Sequence, residues 1–171
     1  MKQQPAADAG IAVRALLAAL ALGFAAASLT PAAAGEEMSW FGYADEDMAA
    51  LAYGIPDSDY APLVIRCDKG ASRAMFRVEH EAVKAKEGMK LPVSLATGAF
   101  KLEISTTAHR QEMDDTLHLE GRVKLAGPLR DMLASAGKLA VTAEGRVTEY
   151  PLKGAARAAV KLFAMCAGEA P

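Results

Sequence analysis

Residues 117–125 alternate without a break. Leu117, Leu119, Gly121, Val123 and Leu125 fall on one side of an extended chain, and His118, Glu120, Arg122 and Lys124 on the other. A strand of a parallel sheet is buried on both faces and would not carry four polar residues at alternate positions. The segment therefore belongs to an antiparallel sheet with one wet face. The rest of the chain has to cover the other face.

More strands precede it. Leu63-Val64-Ile65 and the alternating Ala74, Phe76 and Val78 are joined by Asp68-Lys69-Gly70, which predicts a hairpin. Residues 84–90 read as a charged loop. Leu91, Val93 and Leu95 then alternate, Gly98 interrupts, and Phe100, Leu102 and Ile104 resume.

Helical spacing appears only late. Gly127-Pro128 opens one helix and Gly137 closes it, with Leu129, Met132, Leu133 and Ala136 on one face. A second helix spans residues 155–166. Its apolar stripe is Ala155, Ala159, Leu162, Phe163 and Cys166, with Arg157 and Lys161 opposite. Glu120-Gly121-Arg122-Val123 recurs as Glu144-Gly145-Arg146-Val147, and each copy precedes a Pro-Leu pair and a helix, which suggests a repeated strand–helix unit. The expected fold is α+β: an antiparallel twisted sheet with two C-terminal helices on one face. A two-layer β-sandwich with peripheral helices is the alternative.

Residues 1–34 read as a signal peptide. Lys2 and Arg14 precede an uncharged apolar run of 13 residues, 15–27, and Ala32-Ala33-Ala34 fits a cleavage pattern of small residues. Spanning a bilayer takes roughly 20 residues, so this run is short for an anchor. Cleavage near Ala34 and Gly35 would release residues 35–171 as one domain into the periplasm or medium, with membrane contact only during export. Of 19 Lys+Arg and 21 Asp+Glu, the segment removes Lys2, Arg14 and Asp8, leaving 17 basic against 20 acidic. A net charge near −3 gives no electrostatic footprint for nucleic acid.

Cys67 and Cys166 are the only cysteines. In an oxidising compartment such a pair favours a disulfide, and the helical stripe turns Cys166 toward the sheet where Cys67 ends a strand. A redox or metal thiol is the alternative, but there is no C-x-x-C motif to support it.

A hairpin centred on Glu112-Met113-Asp114-Asp115 pairs Ile104 with Val123 on the buried face and Glu103 with Lys124 on the wet one. The same register sets His109 opposite His118, with Thr107 opposite Glu120. Two imidazoles and the Glu120 carboxylate could hold Zn²⁺ or Cu²⁺, although a tight site usually takes three or four oriented ligands. Without a metal, these are solvated residues near a hairpin tip, and no cofactor is expected.

Other chemistry is thinly signalled. No G-x-S-x-G elbow surrounds any serine, and His80 shares the parity of Phe76 and Val78, so it reads as the end of the core face. Asp45-Glu46-Asp47 and Asp57-Ser58-Asp59 read as turns, because neither continues as a calcium loop. Trp40, Phe41, Tyr43, Tyr53 and Tyr60 fall within 21 residues. They fit a core, and Trp40, Tyr43, Tyr53 and Tyr60 with Asp57 and Asp59 also fit a recognition surface.

The run Tyr53-Gly54-Ile55-Pro56-Asp57-Ser58-Asp59, then Leu63-Val64-Ile65-Arg66-Cys67, and a Pro151-Leu152-Lys153-Gly154 helix start ending in Cys166 resembles small exported proteins of Gram-negative bacteria whose role is not assigned. The resemblance implies a periplasmic, disulfide-linked domain and carries no catalytic residue. The functional expectation is a non-enzymatic periplasmic binding module for a protein or small ligand. Metal binding through the histidine pair is the alternative. A small hydrolase using a serine near His80 is the third reading.

Overall fold

The computed structural model describes residues 37–112, 115–125 and 127–166. The proposed signal segment lies outside them. Nine strands form one antiparallel sheet: β1 (Ser39–Ala44), β2 (Met48–Gly54), β3 (Leu63–Asp68), β4 (Arg73–Glu79), β5 (Lys90–Thr97), β6 (Phe100–Arg110), β7 (Leu117–Lys124), β8 (Lys138–Ala143) and β9 (Arg146–Pro151). Three short helices accompany them: α1 (Pro128–Ala134), α2 (Ala155–Ala158) and α3 (Val160–Cys166). The spatial order is β1-β2-β3-β4-β7-β6-β5-β8-β9. The molecule is thus sheet-rich, and the α+β description fits it only loosely. The strands make one curled sheet rather than the two packed sheets of a sandwich.

Sequence alternation accounts for this sheet directly. Leu51, Ile65, Phe76 and Gly121 are consecutive cross-strand partners in β2, β3, β4 and β7, and Thr106 in β6 continues the row. The first three side chains are fully buried. Side chains of one parity from all these strands meet one continuous core, and the sheet curls around it. Residues 63–68 and 73–79 form the expected hairpin, with Ile65 opposite Phe76.

The helices lie against this same core. Leu129, Met132 and Leu133 of α1 are buried, but Ser135 is extended (φ −73°, ψ 159°) and ends the helix early. Ala136, expected on the same face, is therefore exposed. Residues 155–166 form the expected helical run, interrupted at Ala159, with Ala155, Ala159, Leu162 and Cys166 buried. Gly42 of β1 makes room for it: a Cβ there would stand 2.1 Å from the Ala158 carbonyl oxygen.

Cys67 and Cys166 are joined in a disulfide with Cα atoms 6.1 Å apart, tying α3 to β3. The internal repeat, by contrast, is not structural. Glu120 and Gly121 sit in the middle of β7, whereas Glu144 and Gly145 form the two-residue turn between β8 and β9. Four identical letters have landed in unrelated backbone states. No helix of the described residues is long and apolar enough to cross a membrane.

Candidate functional site

The curled sheet brings its first and last strands together. The Trp40 indole Nε1–H of β1 donates to the Pro151 carbonyl of β9 at 2.6 Å. Trp40 stacks at a tilt on Tyr53, and Tyr53 meets Tyr150 edge-on, each pair with centroids 5.3 Å apart. These three aromatic residues are buried and form the seam between the two ends of the sheet.

The other end of β9 is tied down differently. Glu144 occupies a left-handed position (φ 49°) ahead of Gly145 (φ 79°), the pair of positive φ angles that a two-residue hairpin turn demands. Its carboxylate reaches the segment after β4. It accepts from the backbone N–H groups of Val83 (2.9 Å) and Lys84 (2.8 Å) and from His80 Nε2 (2.8 Å). The Val83 amide, the His80 ring and the Lys84 amide together hold this carboxyl far below its ordinary range, at about 2. Beside it, Arg146 pairs with Glu81 at 2.7 Å.

β9 is therefore anchored at both ends, and a cleft of about 420 Å³ lies along its middle. One wall is residues 146–150 of β9. The opposite wall comes from Tyr53, Tyr60, Pro62, Glu79, His80 and Glu81. Local backbone bonds fix that wall. The Ile55 amide donates to the Tyr60 carbonyl and the Glu79 amide to the Pro62 carbonyl, while Gly54 lies so near Tyr60 that a Cβ would come within 2.2 Å of its oxygen. Burial and then the nearby Glu79 carboxylate push both the Tyr60 and Tyr150 hydroxyls upward, so both remain protonated donors at any physiological pH.

The edge of β9 that faces away from β8 is open along this stretch. Ladder bonds in an antiparallel hairpin alternate. The two-residue turn makes Ala143–Arg146 a bonded pair, and the Leu152 amide bonds the Gly137 carbonyl, so the residues between them are fixed in phase. Val147, Glu149 and Pro151 accordingly direct their backbone groups outward, and the Pro151 carbonyl is the one taken by Trp40.

The aromatic and acidic residues expected to form a recognition surface are only partly gathered at the cleft. Of the expected recognition residues, Tyr53 and Tyr60 line the cleft and Trp40 supports it from behind. Tyr43, Asp57 and Asp59 are exposed and outside it. Asp45 instead caps its own turn, accepting from the Asp47 and Met48 amides at 2.9 Å each. Glu79, Glu144, Arg146 and Tyr150 were not singled out for this site. The Glu-Gly pair between two alternating runs was the available signal for the turn.

The histidine register is as expected, with His109 opposite His118 and Thr107 opposite Glu120. The His109 Nδ1 lies 3.4 Å from Glu87, on the wet face and remote in sequence from the pair. Among the described residues, no group of three or more His, Cys, Asp or Glu is placed to hold a metal ion. His80 does end the core side of β4, and its ring bonds Glu144 rather than a serine. Compared with known proteins, the chain matches no family model, no curated protein and no solved structure.

Proposed function

We propose that this chain is a non-enzymatic exported binding module, acting in the periplasm, whose ligand site is the cleft beside β9. The observation that carries the reading is the combination of a walled cleft with buried aromatic side chains and an unused strand edge. A cleft of this size is in the range that takes a small ligand or a few residues of a peptide. The histidine of the site bonds Glu144, whose carboxylate also takes the Val83 and Lys84 amides, an arrangement that ties the turn to the segment after β4. Export is supported by the pattern of residues 1–34 and by a buried disulfide that suits an oxidising compartment.

The test is capture from a periplasmic extract on immobilised residues 35–171, in parallel with a Tyr60→Ala/Thr148→Trp variant that removes one wall and fills the cleft. A component retained by the native chain and lost from the variant is expected. Equal retention by both would overturn the cleft as the site. The second reading, a metal bound by His109 and His118, draws on their opposed register alone. Calorimetry with Zn²⁺ and Cu²⁺ against His118→Ala decides it, and heat that the variant leaves unchanged rejects it.

A further inference from the structure

Three carboxylates face the cleft, and two are held in ion pairs. Glu81 is held by Arg146, and Glu149 by Lys138. Glu79 is half-buried, has the Tyr60 hydroxyl as a hydrogen-bonding neighbour and Tyr150 nearby, and forms no ion pair with a described residue, so its charge is not neutralised there.

A second observation points the same way independently. Tyr150 is 3% exposed and Tyr53 7%, yet neither hydroxyl hydrogen-bonds a described residue, and both side chains line the cleft. Neither oxygen is sealed away from solvent. Deeply buried tyrosines normally find a partner for the hydroxyl. Here that partner position opens onto the cleft.

Taken with the cleft reading, on which it rests, the geometry points to a short peptide carrying a cationic side chain: its ammonium or guanidinium group meets Glu79 among Tyr53, Tyr60 and Tyr150, and its backbone pairs with the open Val147 and Glu149 groups of β9. Carboxylate and aromatic faces together recognise an organic cation by charge and by cation–π attraction. Peptide groups that add to a free edge supply the remainder. The anchors at Trp40–Pro151 and Glu81–Arg146 restrict the open edge to the few residues between them, so the peptide segment is short.

Calorimetric titration uses four probes on residues 35–171 with the disulfide intact: acetyl-Ala-Lys-Ala-amide, its Arg and Glu counterparts, and butylamine. Binding of the Lys or Arg peptide is expected, butylamine should bind more weakly, and the Glu peptide should not bind. Glu79→Gln should weaken the cationic peptide by about tenfold or more, as loss of a charge-assisted bond does. Val147→Pro removes an outward N–H without touching the β8 ladder, so it should weaken the peptide and leave butylamine unaffected. No binding of either cationic peptide, equal binding of the Glu peptide, or indifference to Glu79→Gln overturns the assignment. If extract capture still depends on the cleft in that case, the site stands and only its ligand chemistry falls.

Discussion

Trp40 and Pro151 stand 111 residues apart in sequence and share a 2.6 Å hydrogen bond that joins the first strand to the last. The indole is the only tryptophan of the chain and is 7% exposed. One side chain thus reports on and maintains the seam. Trp40→Phe keeps a ring against Tyr53 but leaves the Pro151 carbonyl without its donor. The bond is part-buried and water can reach the exposed Pro151, so the expected loss is about 0.5–1.5 kcal/mol, the usual net worth of a hydrogen bond. Urea unfolding followed by circular dichroism measures it, and an unchanged midpoint would contradict the role given to the bond.

The disulfide closes a separation of 99 residues. In the chain-entropy account, a loop of this size stabilises the fold by roughly 4–5 kcal/mol. The Cys67→Ala/Cys166→Ala variant should unfold at markedly lower denaturant than the oxidised chain. Because both sulfurs are buried, reductant should act slowly on the native protein and quickly on the partly unfolded one. Equal midpoints for the variant and the oxidised chain would refute the stabilising role.

Glu144 makes stability depend on acid in a defined window. Its carboxyl sits at about 2 in the fold, below its ordinary value of 4.5. A group depressed in this way stabilises the folded state fully above the unfolded value, and that contribution is lost as pH falls through the folded value. Stability should therefore decline between about 4.5 and 2 on this account. Glu144→Asn keeps a residue suited to the left-handed turn but shortens the reach to Val83 and Lys84. It should flatten that part of the pH profile relative to the native chain. Hydrogen exchange offers a local check: the Val83 and Lys84 amides should lose protection in the variant.

Gly42→Ala tests how α2 is seated. The added methyl would stand 2.1 Å from the Ala158 carbonyl oxygen, so the helix must shift or the strand must bend. Overpacking of this kind costs about 1–3 kcal/mol. Thermal unfolding should show it, while Gly70→Ala in the β3–β4 turn, with nothing near its Cβ, should leave α2 contacts intact.

The sheet was legible because period-2 alternation survives in most of its strands. Residues 117–125 and the β3–β4 hairpin follow directly from it, and so does the register that opposes His109 and His118. The helix faces were legible for the same reason at period 3.6, up to the extended Ser135. Closure was not. Nothing local in Ser39–Ala44 announces that it will meet Arg146–Pro151, because that contact depends on the accumulated twist of nine strands. The cleft depends on closure, so Glu79 and Tyr150 looked ordinary until the two ends came together. Glu144 was hidden by a coincidental match to the β7 sequence, although its Glu-Gly pair carried the turn signal.

The seam and the disulfide also set an order of assembly. Cys67 is made 99 residues before Cys166, and Trp40 111 residues before Pro151. With these two cysteines, the first has no partner within the chain until its mate arrives. The edges of the sheet cannot meet sooner either. Completion therefore falls to β9 and α3. A chain of this design stays unfastened for most of its synthesis and is closed by its last strand and last helix together.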